Sequence, residues 1–183
     1  QATERAAYLL SRAGIPNPGE RLRQYPHQLS GGLRQRVMIA MALMCGPRLI
    51  IADEPTTALD VTVQAQILEL LKSLQSEFGM ALILVTHDLG VVSSVADSIA
   101  VMYAGQIVET GSAARVLAAP SHPYTQGLLA CLPSIDRIGR GRRLGTIRGI
   151  VPSLTGDTDG CARASRCQWA TERCATGTPP WQG

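Results

Sequence analysis

Two stretches of this 183-residue chain carry residue types suited to phosphate chemistry. Residues 29–35 read Leu29-Ser30-Gly31-Gly32-Leu33-Arg34-Gln35, and residues 49–54 read Leu49-Ile50-Ile51-Ala52-Asp53-Glu54. Paired glycines let a phosphate come close to the backbone, and the Ser30 hydroxyl can donate to a phosphate oxygen. A helix starting just beyond turns its partly positive N-terminus toward the same point. Asp53 and Glu54 close an apolar run: one carboxylate can hold Mg²⁺ through oxygen, and its neighbour can orient and polarise an attacking water. Phosphoryl transfer asks for little more, because positioning and electrostatics supply most of the catalysis. Thr86-His87-Asp88 end a second apolar run, where an imidazole can touch a terminal phosphate. Singly, these pieces are a capping turn, a surface turn and a structural histidine; their order at successive strand ends points to nucleotide hydrolysis. No Gly-x-x-x-x-Gly-Lys-Ser/Thr occurs, and no glycine precedes the sole lysine, Lys72, in that pattern. The first phosphate cradle of such a site is therefore expected outside this chain.

Ligands of open α/β sheets bind beyond the carboxyl ends of parallel strands, so the elements around these residues matter. Thr3–Ala13 has helical spacing, with Ala6, Leu9, Leu10 and Ala13 on one face, and breaks at Gly14 and Pro16-Asn17-Pro18-Gly19. Ser30 caps a helix starting near Leu33, with Val37, Ala40, Met41 and Met44 inward, until Gly46-Pro47 stops it. Leu49–Ala52 reads as a buried parallel strand. Asp60 caps a helix in which Val63, Ile67, Leu70, Leu71, Leu74 and Phe78 recur until Gly79. Ala81–Val85 is a second buried strand, which completes a βαβ unit with a right-handed crossover. Ile99–Tyr103 and Gln106–Thr110 read as a hairpin around Ala104-Gly105. Helices at Ser112–Ala118 and Tyr124–Cys131 follow. From Leu132 on, Pro, Gly and Arg dominate, which puts the domain boundary between residues 131 and 132.

Composition narrows the class. Hydrophobic residues at 45% permit a core, while aromatics at 4% make it mostly aliphatic. A net charge of +3 gives no argument for nucleic acid. Arg137, Arg140, Arg142, Arg143 and Arg148 crowd one Gly-containing stretch without interleaved aromatics, as in a solvated linker. The longest apolar run, Val37–Cys45, falls short of the roughly 18–20 residues that span a bilayer. No signal peptide is seen, and the chain starts at Gln1; both fit a cytosolic or peripherally bound piece of a longer protein.

At this point a resemblance appears. LSGGLRQRVMIAMAL, LIIADEPTTALDVTVQAQILELL and ILVTHDLGVV resemble the signature motif, the Walker B strand with its D-loop, and the switch-histidine region of ATP-binding cassette (ABC) transporter ATPases. HPYTQGLLACLPSI, RRLGTIRGIVPSL and GCARASRCQWATERC resemble the oligopeptide/dipeptide (and nickel) importer branch. The resemblance implies an α/β fold of the P-loop NTPase type, a parallel sheet with flanking helices, incomplete at its N-terminus. Residues 1–131 are then the C-terminal part of the ATPase domain, and residues 132–183 a small irregular Cys-containing extension.

It also implies roles. Asp53 serves Mg²⁺, Glu54 is the general base and His87 the γ-phosphate switch. Ser30, Gly31, Gly32 and Gln35 hold the γ-phosphate of ATP on the opposite subunit, and Asp60, with Ala58 and Leu59, crosses the dimer interface. The expected protein is an ATP-hydrolysing subunit that energises peptide import. Its partners are a second ATPase subunit (a paralogue), two transmembrane permease subunits and, indirectly, a substrate-binding protein, at the cytoplasmic face of the membrane. The competing readings are a non-hydrolysing half-site that completes a partner's pocket, and a soluble ABC protein acting on ribosomes or DNA. The cargo stays open among dipeptides, longer peptides and nickel chelates.

Of five cysteines, Cys45 and Cys131 sit in helical patterns and are expected to be buried small apolar residues. Cys161, Cys167 and Cys174 form Cys-x5-Cys-x6-Cys, too wide for a Cys-x2-Cys zinc knuckle. The resemblance suggests a 4Fe–4S cluster in the intact protein; a fourth thiolate is absent from this tail.

Overall fold

In the computed structural model, which describes residues 1–132, 147, 149 and 160–177, the helices follow the caps and stops of the sequence. Helix α1 (Ala2–Arg12) ends before Gly14, whose positive φ suits a turn, and a single turn, α2 (Pro18–Arg21), follows. The Ser30 hydroxyl accepts the Leu33 N–H at 3.3 Å and opens α3 (Gly31–Leu43). Strand β1 (Leu49–Asp53) leads to α4 (Val61–Phe78), which Asp60 caps by accepting the Val63 N–H at 2.9 Å. Gly79 closes α4 in the left-handed conformation, and β2 (Ala81–Val85) pairs parallel with β1, Leu49 beside Ala81 through Asp53 beside Val85. This is the expected βαβ unit.

The chain divides into two compact units, Gln1–His87 and Asp88–Gly183. The hairpin and the helices up to residue 131 therefore group with the tail rather than with β1 and β2. In the first unit, Leu9, Leu10 and Ala13 of α1, Ile39, Ala40 and Leu43 of α3, and Ile67, Leu71 and Leu74 of α4 pack with Ile50. Two expectations change here. The buried face of α3 is Ile39, Ala40 and Leu43, and Met41 is 66% exposed. Residues 37–45 are apolar all round, so periodicity cannot choose the face. Likewise the strands are buried on one side only: Leu49, Ile51, Ile83 and Val85 are exposed, Ile51 at 65%. The helices of this unit cover the Ile50 side, and none of the unit's own described elements packs on the other. Phe78 at the end of α4 is also exposed.

In the second unit Asp88 caps α5 (Leu89–Val95), its Oδ1 accepting the Gly90 N–H at 2.8 Å. Strands β3 (Ser98–Tyr103) and β4 (Gln106–Ser112) form the expected antiparallel hairpin, with an irregularity at Val101–Met102. Its turn holds Ala104 and Gly105 at φ 49° and 76°, the left-handed pair whose twist suits a two-residue hairpin loop. Ile99 and Val101 pack with Val116 of α6 (Ala113–Ala118). Helix α7 (Pro123–Ala130) starts with proline at its first position, where no N–H is needed. Among residues 160–177, a 3₁₀ turn (Ala164–Arg166) and helix α8 (Glu172–Thr176) give the tail some regular structure. Arg137, Arg140, Arg142, Arg143 and Arg148 lie outside the described residues. No helix among the described residues is long and apolar enough to cross a membrane.

Replacing Ile67, which has no exposed surface, by Ala should cost about 2–5 kcal/mol in chemical denaturation. Ile51→Thr, on the open side of β1, should change stability by only about 0.5 kcal/mol.

Candidate functional site

The two parallel strands bring the sequence-predicted carboxylates and imidazole together. Asp53 and Val85 are register partners at the strand ends, and Glu54 extends the pairing by donating its N–H to the Val85 carbonyl at 2.9 Å. Glu54 then turns sharply, at φ 47°. Its Oε1 lies 2.7 Å from His87 Nδ1. Its Oε2 accepts the Thr57 hydroxyl at 2.6 Å, a partner the sequence reading missed. Thr57 also donates its backbone N–H to the Glu54 carbonyl at 3.2 Å, closing a four-residue turn through Pro55 and Thr56. The only sequence signal for this contact was a hydroxyl three residues after a carboxylate, with proline between.

This geometry fixes protonation. The Thr57 hydroxyl, and then the His87 contact, hold the Glu54 carboxyl below its ordinary value, so it is an ionised acceptor. His87 Nδ1 must therefore carry the hydrogen. The neutral ring keeps Nε2 as an acceptor, and Nε2 becomes a donor only in the imidazolium form. Side-chain exposure is 81% for His87 and 38% for Glu54, so both are open to a ligand. Asp53 is exposed at the end of β1. A single strand-end carboxylate matches the needs of Mg²⁺, which takes one or two such oxygens and completes its shell with phosphates and water.

The Ser30–Gly32 turn meets the segment around Asp60. A Cβ on Gly31 would touch Leu59 at 3.5 Å, and one on Gly32 would come within 2.9 Å of Val63 Cγ1. Gly32 thus has a packing reason to lack a side chain, besides the phosphate approach read from the sequence. Ser30 uses its oxygen to accept the Leu33 N–H, which leaves the hydroxyl hydrogen to donate elsewhere. Asp60 uses Oδ1 to cap α4. Gln35 is half-buried on α3.

In the second unit, buried Glu109 accepts the backbone N–H groups of Ser121 at 2.7 Å and His122 at 3.1 Å. His122 caps α7, its Nδ1 accepting the Tyr124 N–H at 3.1 Å. Arg163 from the tail is buried, its guanidinium 5.1 Å over Tyr124 and 5.9 Å over Tyr103. Arg166 donates to the Tyr103 hydroxyl at 2.9 Å and to the Gly149 carbonyl at 2.8 Å. The tail is therefore pinned to β3 and α7 by arginine–tyrosine contacts.

Cys161 donates its N–H to the Cys174 carbonyl at 2.8 Å. Among the described residues, no three His, Cys, Asp or Glu side chains group as a metal site. Cys45 is exposed and Cys131 half-buried, against the expected burial, because both lie at helix ends.

Comparisons with known proteins agree with this fold. The family described as "ABC transporter" matches residues 1–57. A solved structure of cbiO1 from Clostridium perfringens, described as part of the ABC transporter complex cbiONQ, superposes with a TM-score of 0.56 at 37% identity. The superposition covers 63% of this chain and 45% of that one. The chain belongs to the ATP-binding proteins of ABC transporters. The family described as "Oligopeptide/dipeptide transporter, C-terminal region" matches residues 108–174, which puts it in the peptide-transporter branch. The dipeptide transport ATP-binding protein of Escherichia coli is 55% identical over 96% of this chain and 53% of its own length. The oligopeptide transport ATP-binding protein of Bacillus subtilis is 54% identical over 98% of this chain and 50% of its own. The chain thus spans about half the length of the relatives it matches.

Glu109 gives a test of the second unit. Burial acts to raise its pKa; the neighbouring Thr125 hydroxyl and the Ser121 and His122 N–H groups outweigh it, and the net direction is downward. Thr125 Oγ1 is buried without a well-formed hydrogen bond, so the two backbone donors are the firm partners. A carboxyl with a lowered folded pKa stabilises above its unfolded pKa, and this is lost as pH falls through the folded one. Glu109→Ala should cost about 1–3 kcal/mol at neutral pH by stranding two N–H donors. Glu109→Gln should flatten the acid side of the stability–pH curve, both read by thermal melts.

Proposed function

We propose that this chain supplies the hydrolytic residues of an ATPase subunit that energises membrane import of di- or oligopeptides. The observation that carries this is the Glu54 carboxylate, one residue beyond Asp53 at the end of β1, held between His87 and Thr57. Glu54 accepts the proton of the attacking water. His87 answers to the γ-phosphate through Nε2, which donates when the ring is imidazolium. Asp53 holds Mg²⁺, which supplies charge neutralisation of the phosphates when bound. Ser30, Gly31, Gly32 and Gln35 engage the γ-phosphate of ATP held by a second subunit, and Asp60 lies at the interface with it. The names of the Escherichia coli and Bacillus subtilis relatives support peptide cargo.

On this reading residues 1–131 belong to the ATPase domain and residues 132–183 to the branch-specific extension. The partners are a paralogous ATPase subunit, two permease subunits and a substrate-binding protein that delivers cargo to them. The chain sits peripherally at the cytoplasmic face of the membrane.

In the assembled transporter ATPase, Glu54→Gln should reduce hydrolysis ~10²- to 10⁴-fold while ATP binding is kept, the usual size of a general-base contribution. Near-normal turnover would remove Glu54 from that role. Ser30→Arg should abolish hydrolysis and leave nucleotide binding to the subunit's own phosphate cradle intact. Loss of that binding would sink the action in trans.

A further inference from the structure

The geometry points to Thr57 as the positioning residue for Glu54: its hydroxyl holds Oε2 so that the carboxylate is presented in one orientation, with Oε1 on His87. This rests on Glu54 being the base, as proposed above. Three observations combine. The Thr57 hydroxyl reaches Oε2 at 2.6 Å, and the His87 imidazole reaches Oε1 at 2.7 Å, so each carboxylate oxygen has its own tether. The Thr57 backbone N–H returns to the Glu54 carbonyl, which makes the turn and the side-chain bond one unit. That turn is bracketed by two non-glycine residues in the left-handed region, Glu54 at φ 47° and Ala58 at φ 62°. Such conformations persist only where surrounding contacts over-determine them.

Glutamate needs this help. It has three rotatable side-chain bonds, and here its side chain keeps 38% of its surface exposed, so packing alone does not fix its carboxylate. One bond to His87 leaves the carboxylate free to pivot about Oε1. A second bond, to Oε2 and from a residue three positions on in the same turn, removes the pivot. Misplacement of a reacting group by about an ångström is enough to cost large factors in rate. Serine keeps the donor and valine keeps the shape without it, so the two substitutions separate the hydrogen bond from the bulk of the side chain.

The test has two arms. Side-chain couplings of Glu54, measured by NMR at fixed pH in this chain, should report a single rotamer in the wild type and in Thr57→Ser. Thr57→Val should show averaged rotamers, with the melting temperature unchanged. In the assembled ATPase, Thr57→Val should lower kcat roughly 10-fold with KM for ATP unchanged. Thr57→Ser should restore it, and Thr57→Val should add nothing in a Glu54→Gln background, the non-additivity expected of residues acting as a unit. A single Glu54 rotamer in Thr57→Val, or an equal loss of rate in the Glu54→Gln background, would overturn the assignment. The rotamer arm needs no turnover, so a failure of Thr57 to hold Glu54 is told apart from a failure of Glu54 to act as base.

Discussion

The site rests on one parallel register, Asp53 beside Val85, because the next residue continues it through the bond from the Glu54 N–H to the Val85 carbonyl. That bond fixes where the chain leaves β1, and so where the Glu54 carboxylate can meet the imidazole two residues beyond β2. Side chains alternate across a strand, so a slip of one residue would exchange Ile50 for Ile51 in the core and carry Glu54 off its partner. The register is held from one side: Ile50, Ala52 and Leu82 pack on the helices, and α4 spans the distance between the strands. Hydrophobic packing and the position of a polar pair are here the same constraint.

Much of this was legible in the sequence, for reasons that are local. Ser30 and Asp60 are capping residue types just ahead of apolar periodicity, and Gly79 suits a left-handed helix end; all three act as read. Ala104-Gly105 marked the hairpin turn, and the strand-end rule brought Asp53, Glu54 and His87 forward as one site. The rest depended on non-local facts. The buried face of α3 follows from where α1 and α4 lie, and an all-round apolar helix carries no record of that. Strand burial depends on what covers each side. Thr57 became a partner of Glu54 only through a backbone turn at positive φ, which spacing does not reveal. Gly32 was read for its freedom toward a phosphate, whereas contact with Val63 is equally a reason for it.

The two units place their polar groups on different principles. In the first, His87 is exposed and Glu54 half-buried, and their mutual contact is one a ligand can reach and rearrange. In the second, Glu109 and Arg163 are buried, and each is held by groups from neighbouring turns. A buried carboxylate that satisfies two backbone donors is difficult to change without loss, because removing it strands those donors. The described tail residues are held to β3 and α7 by the contacts of Arg163 and Arg166 with Tyr103 and Tyr124.

The uncovered side of the β1–β2 pair has a consequence for handling the chain. Leu49, Ile51, Ile83 and Val85 form an apolar strip on a ribbon of two strands, with mean exposure far above that of a core. Short β-branched strands of this kind, with no proline on the bare side and charge only at its Asp53 end, are templates for stacking against copies of themselves. At the concentrations used for spectroscopy, these residues set the colloidal behaviour of the chain: turbidity on warming should begin at the ribbon, well before the helices around Ile67 let go.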